Sequence, residues 1–153
     1  MMREQTVIQT KIRHLKMNAP LCVDAGTKCE DVLNRMKEER RSCVLVCQGS
    51  KCIGIFTERD FLNRILGKKV DLQRPVDDFM SKEPRVLTLD DTVGQAIRIM
   101  QEHGYRNVAL VDQQGNCSGL LQIRNVIDFL AELFPEEVLN ASPRQQFQDT
   151  DGA

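Results

Sequence analysis

The chain has 153 residues, enough to bury one core of ordinary size but not two large ones. Its 21 basic and 22 acidic side chains leave a formal charge of -1, so no broad positive field is available to hold nucleic acid or an anionic membrane. No apolar run approaches the length of a bilayer span, and the start MMREQTVIQTK lacks the apolar core of a signal peptide; the expectation is a soluble, cytoplasmic protein.

In chain order, Pro20 is followed by a short strand, LCV. Cys29, Val32, Leu33 and Met36 then recur at i, i+3, i+4 and i+7, one apolar stripe on a helix. Two strands come next, VLV (Val44 to Val46) and IGIF (Ile53 to Phe56), joined by the turn residues QGSK. The second strand breaks into Thr57-Glu58-Arg59-Asp60, after which Phe61, Leu62, Ile65 and Leu66 mark a second helix. GKKVDLQRPVDDFM opens as a charged connector, and Pro75 separates that connector from the start of a second unit. After Pro84 comes RVLTL, a short strand, then Asp90-Asp91 as a helix-start pair and a stripe at Val93, Ala96, Ile97 and Met100. His103-Gly104 reads as that helix's end. VALV, the turn QQGN and GLL give two more strands, and Val126, Ile127, Leu130 and Ala131 a last helix. The polar stretch 140–153 has no periodicity and is predicted to be disordered.

These elements form a duplication. Cys29 and Val93 open identical stripes at an offset of 64 residues, while Phe61 and Val126 do so at 65. The drift of one residue is what a small insertion at a turn would cause. Each half reads as strand, helix, two strands, helix, over 15–72 and 76–139. A single unit could barely bury its own sheet face; two packed together would share one core about a pseudo-two-fold axis.

Six cysteines sit at 22, 29, 43, 47, 52 and 117, with no C-x-x-C and with His14 and His103 as the imidazole partners. Zinc sites use tight ligand pairs, which these spacings do not supply, so no metal is expected. Reduced, mostly buried thiols in a reducing compartment are the favoured reading, with a redox sensor as the minority one.

Gly54-Ile55-Phe56-Thr57-Glu58-Arg59-Asp60, in the pattern G-h-h-T-x-x-D with h apolar, resembles the motif of the CBS domain, a family of tandem units of this period. The second copy, Gly119-Leu120-Leu121-Gln122-Ile123-Arg124-Asn125, keeps the frame and changes both polar motif positions. The resemblance implies an α/β fold of tandem CBS domains, two β-α-β-β-α repeats packed with pseudo-two-fold symmetry. It further implies a non-catalytic regulatory pair, often a homodimer, whose clefts bind AMP, ADP, ATP or S-adenosylmethionine, with no required cofactor and with a regulated protein as partner. Residue by residue, it implies ribose binding by Asp60 and Asn125, and phosphate near Thr57. Basic residues before the central strands, Arg41 and Arg106 with their neighbours Ser42 and Asn107, would reach the phosphates.

Elementary chemistry agrees with that assignment. A carboxylate accepts from two vicinal hydroxyls at once, and a hydroxyl with free amides at a helix start favours phosphate. Arg59 adds a cation at that helix start, and Leu21-Cys22-Val23 offers an apolar edge to a purine face. The bland readings run alongside: Thr57 and Asp60 as a helix-capping pair, Arg59 and Arg41 as solvated helix-end charges. Asn125 lacks charge and Gln122 is long, so the second motif is expected to be weak or empty. A structural interaction module without ligand and a thiol redox switch remain as alternatives. No convergent nucleophile, base or metal cluster is apparent in the sequence, so no enzyme is expected.

Overall fold

The computed structural model describes residues 2–134, with side chains from residue 5 onward; the predicted tail lies outside the described residues. Helix α1 (Met2–Gln9) comes first, followed by β1 (Cys22–Asp24), α2 (Cys29–Glu39), β2 (Cys43–Gln48), β3 (Lys51–Thr57) and α3 (Glu58–Arg64). The second half carries β4 (Ser81–Lys82), β5 (Val86–Leu87), α4 (Val93–His103), β6 (Asn107–Val111), β7 (Cys117–Gln122) and α5 (Ile123–Leu133). Two 3₁₀ turns, Ile12–His14 and Val76–Asp78, precede the two units at equivalent places. The predicted β-α-β-β-α order is present in both halves.

One sheet runs β1-β2-β3-β4 and the other β5-β6-β7. In each, the first strand pairs parallel with the second across its helix, and the second and third form an antiparallel hairpin. The hairpins locate the extra residue. Cys47 faces Cys52 across the first turn and Val111 faces Cys117 across the second, so residues before the turn correspond at 64 and those after it at 65.

Strand β2 is buried on both faces, which explains its unbroken run CVLVC. Val44 and Val46 enter the first unit's core with Val32, Phe56 and Val76, while Cys43, Leu45 and Cys47 turn to a seam shared with Ile55, Ala109 and Leu120. The second unit's core holds Ile12, Val93, Leu110 and Leu121.

Each core is closed by the segment that precedes the other unit. Val93 N–H donates to Thr10 O (2.8 Å) and Ile12 N–H to Asp91 O (2.9 Å); in the first unit Cys29 N–H donates to Arg74 O (2.9 Å) and Val76 N–H to Thr27 O (2.8 Å). Helix α1, which no apolar stripe in the sequence announces, lies on α4, where Gly94 makes room for Ile8: a Cβ there would meet Ile8 Cγ2 at 2.5 Å.

Asp90 and Asp91 do not cap α4 as predicted. Thr92 does, in a reciprocal box with Gln95, while Asp91 accepts from Thr88 N–H (2.7 Å) and Asp90 pairs with Arg13 (2.6 Å). The predicted stripe at 61–66 runs past α3, which ends at Arg64; it and the stripe on α5 are half covered, Ile65 and Val126 being buried whereas Leu62, Leu66 and Ile127 stand more than half exposed.

Candidate functional site

The turn from β3 into α3 holds the first motif. Thr57 is extended and ends the strand; its hydroxyl accepts from Asp60 N–H (3.4 Å), and Asp60 Oδ2 accepts from Thr57 N–H (3.0 Å) and from the Thr57 hydroxyl (3.2 Å). That is the capping box of the bland reading. It is not the whole environment of Asp60. Oδ1 accepts from the Ser81 hydroxyl (3.1 Å) and lies 3.8 Å from Arg64 Nε. Asp60 is 7% exposed, the one charged residue buried with the core among the described residues. Its partners explain how a carboxylate is held there: two hydroxyls, an amide and a nearby guanidinium replace water.

Sequence reasoning missed Arg64 and Ser81. Arg64 stands one helical turn beyond Asp60, a spacing that could have flagged it. Ser81 comes from β4, whose pairing with β3 (Ile55 to Ser81) has no strand-like signal in the sequence.

The second motif keeps the capping frame of the first and differs in where the Gln122 side chain goes. Gln122 N–H donates to Asn125 Oδ1 (2.8 Å), and the Gln122 side-chain amide donates to Asn107 Oδ1 (3.1 Å). Gln122 thus turns toward the start of β6.

The flanking arginines separate. Arg41 donates from Nη1 to Ala19 O (2.7 Å), beside the entry to β1. It lines a groove of about 290 Å³ between α2 and α3, with Leu33, Met36 and Phe61 as apolar walls and Lys37, Arg40 and Glu58 as the other charges. Thr57 and Asp60 are not part of that lining. Arg59 leaves α3 toward the other unit, its Nη1 3.8 Å from where a Cβ on Gly104 would stand, at the C-terminal end of α4. Arg106 is exposed, and its carbonyl accepts from Ile123 N–H (2.9 Å). The hairpin register corrects one equivalence: Ser42 O accepts from Glu58 N–H as Arg106 O does from Ile123, so Arg106 is the counterpart of Ser42, and Arg41 that of Tyr105. The offset of 65 fails here because these residues precede the turn that carries the insertion.

Cys22 is exposed on edge strand β1, and its thiol points at Cys117 Sγ, 3.8 Å away across the seam. Burial, helped by Cys117 and Cys47, pushes the Cys22 thiol up to about 12.

Two strand-to-helix turns on paired sheets, related by one register shift, describe a duplicated unit. The family model described as CBS domain matches residues 12–67 and again 76–132. The chain belongs to the CBS domain family. An uncharacterised 17.7 kDa protein of Acidianus ambivalens is 26% identical over 125 residues, covering 81% of this chain and 75% of its own. Three other curated relatives are far longer: the chain spans 18% of each of two CBS domain-containing proteins of Arabidopsis thaliana and 28% of an uncharacterised protein of Methanocaldococcus jannaschii. Among solved structures, a CBS domain protein of Pyrobaculum aerophilum complexed with AMP superposes with a TM-score of 0.71 at 21% identity, covering 80% of this chain and 98% of that one. The CBS domain pair of the protein MJ0100, in complex with 5′-methylthioadenosine and S-adenosyl-L-methionine, gives 0.70 at 13% identity, over 79% and 99%. At these identities the likeness is one of fold.

Proposed function

We propose that this CBS pair is a non-catalytic regulatory module whose first repeat binds an adenosyl ligand, AMP, ADP, ATP or S-adenosylmethionine, through Asp60. The observation that carries the reading is the donor pattern around that carboxylate. Thr57 and Ser81 each place a hydroxyl on a different oxygen. Two hydroxyls, one per oxygen, is also what a ribose diol offers, so a sugar can take over these bonds without leaving the charge bare. Arg41, which lines the groove beside Glu58, and Arg59, whose side chain leaves α3 toward the other repeat, serve the phosphates, and Cys22 with its neighbours supplies the apolar edge. Arg106 and Asn125 serve the second repeat, where the uncharged amide and the displaced Gln122 make the weaker site. The two solved CBS pairs bound to adenosine compounds support the ligand class.

A homodimer built on the uncovered apolar faces of α3 and α5, acting on a separate partner protein in the cytoplasm, completes the proposal. The second reading is an interaction module without ligand; what favours it is that Asp60 is already satisfied within the protein. A thermal-shift and calorimetric screen with the four ligands separates the two. A ligand at 100 times its Kd adds about 2.7 kcal/mol, roughly 8 °C in melting temperature for a chain of this size. Four flat melting curves at millimolar ligand leave the interaction module standing and the sensor rejected.

A further inference from the structure

The seam between the sheets gathers thiols that are far apart in sequence. Cys22 on β1, Cys47 on β2 and Cys117 on β7 bring their sulfurs within 4.8 Å of one another, and Cys22 and Cys117 approach to 3.8 Å. Sulfurs bound about 2.3 Å from a central ion at trigonal angles lie about 4 Å apart, so the cluster needs little movement to ligate. We propose that Cys22, Cys47 and Cys117 form a binding site for a thiophilic monovalent d10 metal ion, Cu(I), joining the two CBS repeats.

The duplication supplies an internal comparison. At the symmetry-related place the counterparts of Cys22, Cys47 and Cys117 are Val86, Val111 and Cys52. The same backbone therefore packs with two valines and one thiol, so packing does not require three sulfurs at the first place. The cluster is a departure from the repeat, and it occurs once.

Ligand chemistry selects the ion. Among the described residues the sulfurs that meet within 4.8 Å belong to three cysteines, with no imidazole or carboxylate; Cys52, opposite Cys47 in the hairpin, is outside that group and its thiol donates to Gly54 O (3.6 Å). Zinc closes a four-ligand shell in structural sites, whereas thiolate sulfur favours the softer Cu(I), which is content with three donors. Exposure of Cys22 at the sheet edge gives an entry route, and burial of Cys47 anchors the inner side. Without an ion, burial first and the neighbouring Cys117 second hold Cys22 and Cys47 up to about 12 and about 11, so the thiols rest protonated and are poor nucleophiles. A cation reverses that balance: each thiol releases its proton to solvent, and the sulfur lone pair goes to the metal. No electron is transferred.

The test is an anaerobic titration of the reduced full chain with Cu(I), read by competition with a chromophoric Cu(I) chelator such as bicinchoninate and by native mass spectrometry. The expected result is one Cu(I) per chain, with affinity reduced at least 100-fold in Cys22→Ser and in Cys117→Ser. Cys29→Ala, in the first repeat's own core, should bind as the wild type does. Cys22→Ser lies at the exposed edge, and circular dichroism verifies that it is folded. Copper left with the chelator by the wild type overturns the site. So does unchanged affinity in folded Cys22→Ser.

Discussion

Replacing Asp60 separates a helix cap from a sugar anchor, because alanine and asparagine remove different things. Asp60→Ala takes the acceptor from Thr57 N–H and from the Ser81 hydroxyl, both half-buried. The lost cap costs about 1 kcal/mol, and the lost bond to a charged acceptor about 1 to 2 more. The Arg64 contact adds little, since that side chain is 45% exposed and 3.8 Å away. Destabilisation of about 2 to 3 kcal/mol should appear in urea unfolding, with the melting temperature down by roughly 6 to 9 °C. Asp60→Asn keeps a good capping oxygen, and the Ser81 hydroxyl can rotate to accept from the new amide, so its cost should stay near 1 kcal/mol. Calorimetry then reads the other role. If Asp60 grips a ribose, both variants lose at least about 1 kcal/mol of adenosyl-ligand affinity, asparagine included, because the bonds lose their charge. Wild-type affinity in a folded Asp60→Asn variant would refute the sugar role, and an Ala variant as stable as the wild type would refute the cap.

The motif glycines should respond differently. A Cβ on Gly54 would lie 2.4 Å from Met80 Sδ within the core, so Gly54→Ala should cost about 1 to 3 kcal/mol in denaturant unfolding, whereas at Gly119 the nearest atom is 3.5 Å away and alanine should change stability by less than about 0.5. Leu62→Glu combined with Ile127→Glu, at positions 58% and 53% exposed, should convert the proposed dimer to a monomer in sedimentation velocity without loss of fold; a wild-type monomer rejects the dimer, and a dimer that survives both changes assigns self-association elsewhere. Cys22, Cys47 and Cys29 are raised from the ordinary 9.0 to about 12, 11 and 11, chiefly by burial. Neutral thiols are favoured by folding, so their contribution is fully present below pH 9 and is lost as pH rises toward 11 to 12. Unfolding at about pH 8 and about pH 10.5 should show that decline, shallower in Cys22→Ser; equal slopes would contradict the assignment.

Periodicity makes the architecture legible: both apolar stripes per half, the hairpin turns and the duplicated frame need no more than local pattern. The second-helix stripes are legible too, but not that half of each faces outward, since period alone cannot say what covers a face. Ser81 beside Asp60 is hidden because β4 is two residues long and is held by its partner strand rather than by propensity. Matching Arg41 to Arg106 fails because it carries one offset across a turn that shifts it. The thiol cluster escapes for a related reason. Ligand spacing along the chain detects sites built within one loop, whereas Cys22, Cys47 and Cys117 are assembled by strand register and by the contact of two sheets. Helix α1 is short and polar on average, and tertiary contact with α4 organises it.

The exchange of bracing segments between the halves makes the duplication inseparable. A cut within the connector near Gly67 would not release two autonomous modules; it would leave the second repeat holding the strap that the first needs, Arg74 to Val76, and the first keeping the one at Thr10 to Ile12 that the second needs. Whatever loosens one helix start therefore also frees the chain leading into the opposite repeat, and the two halves are expected to unfold together.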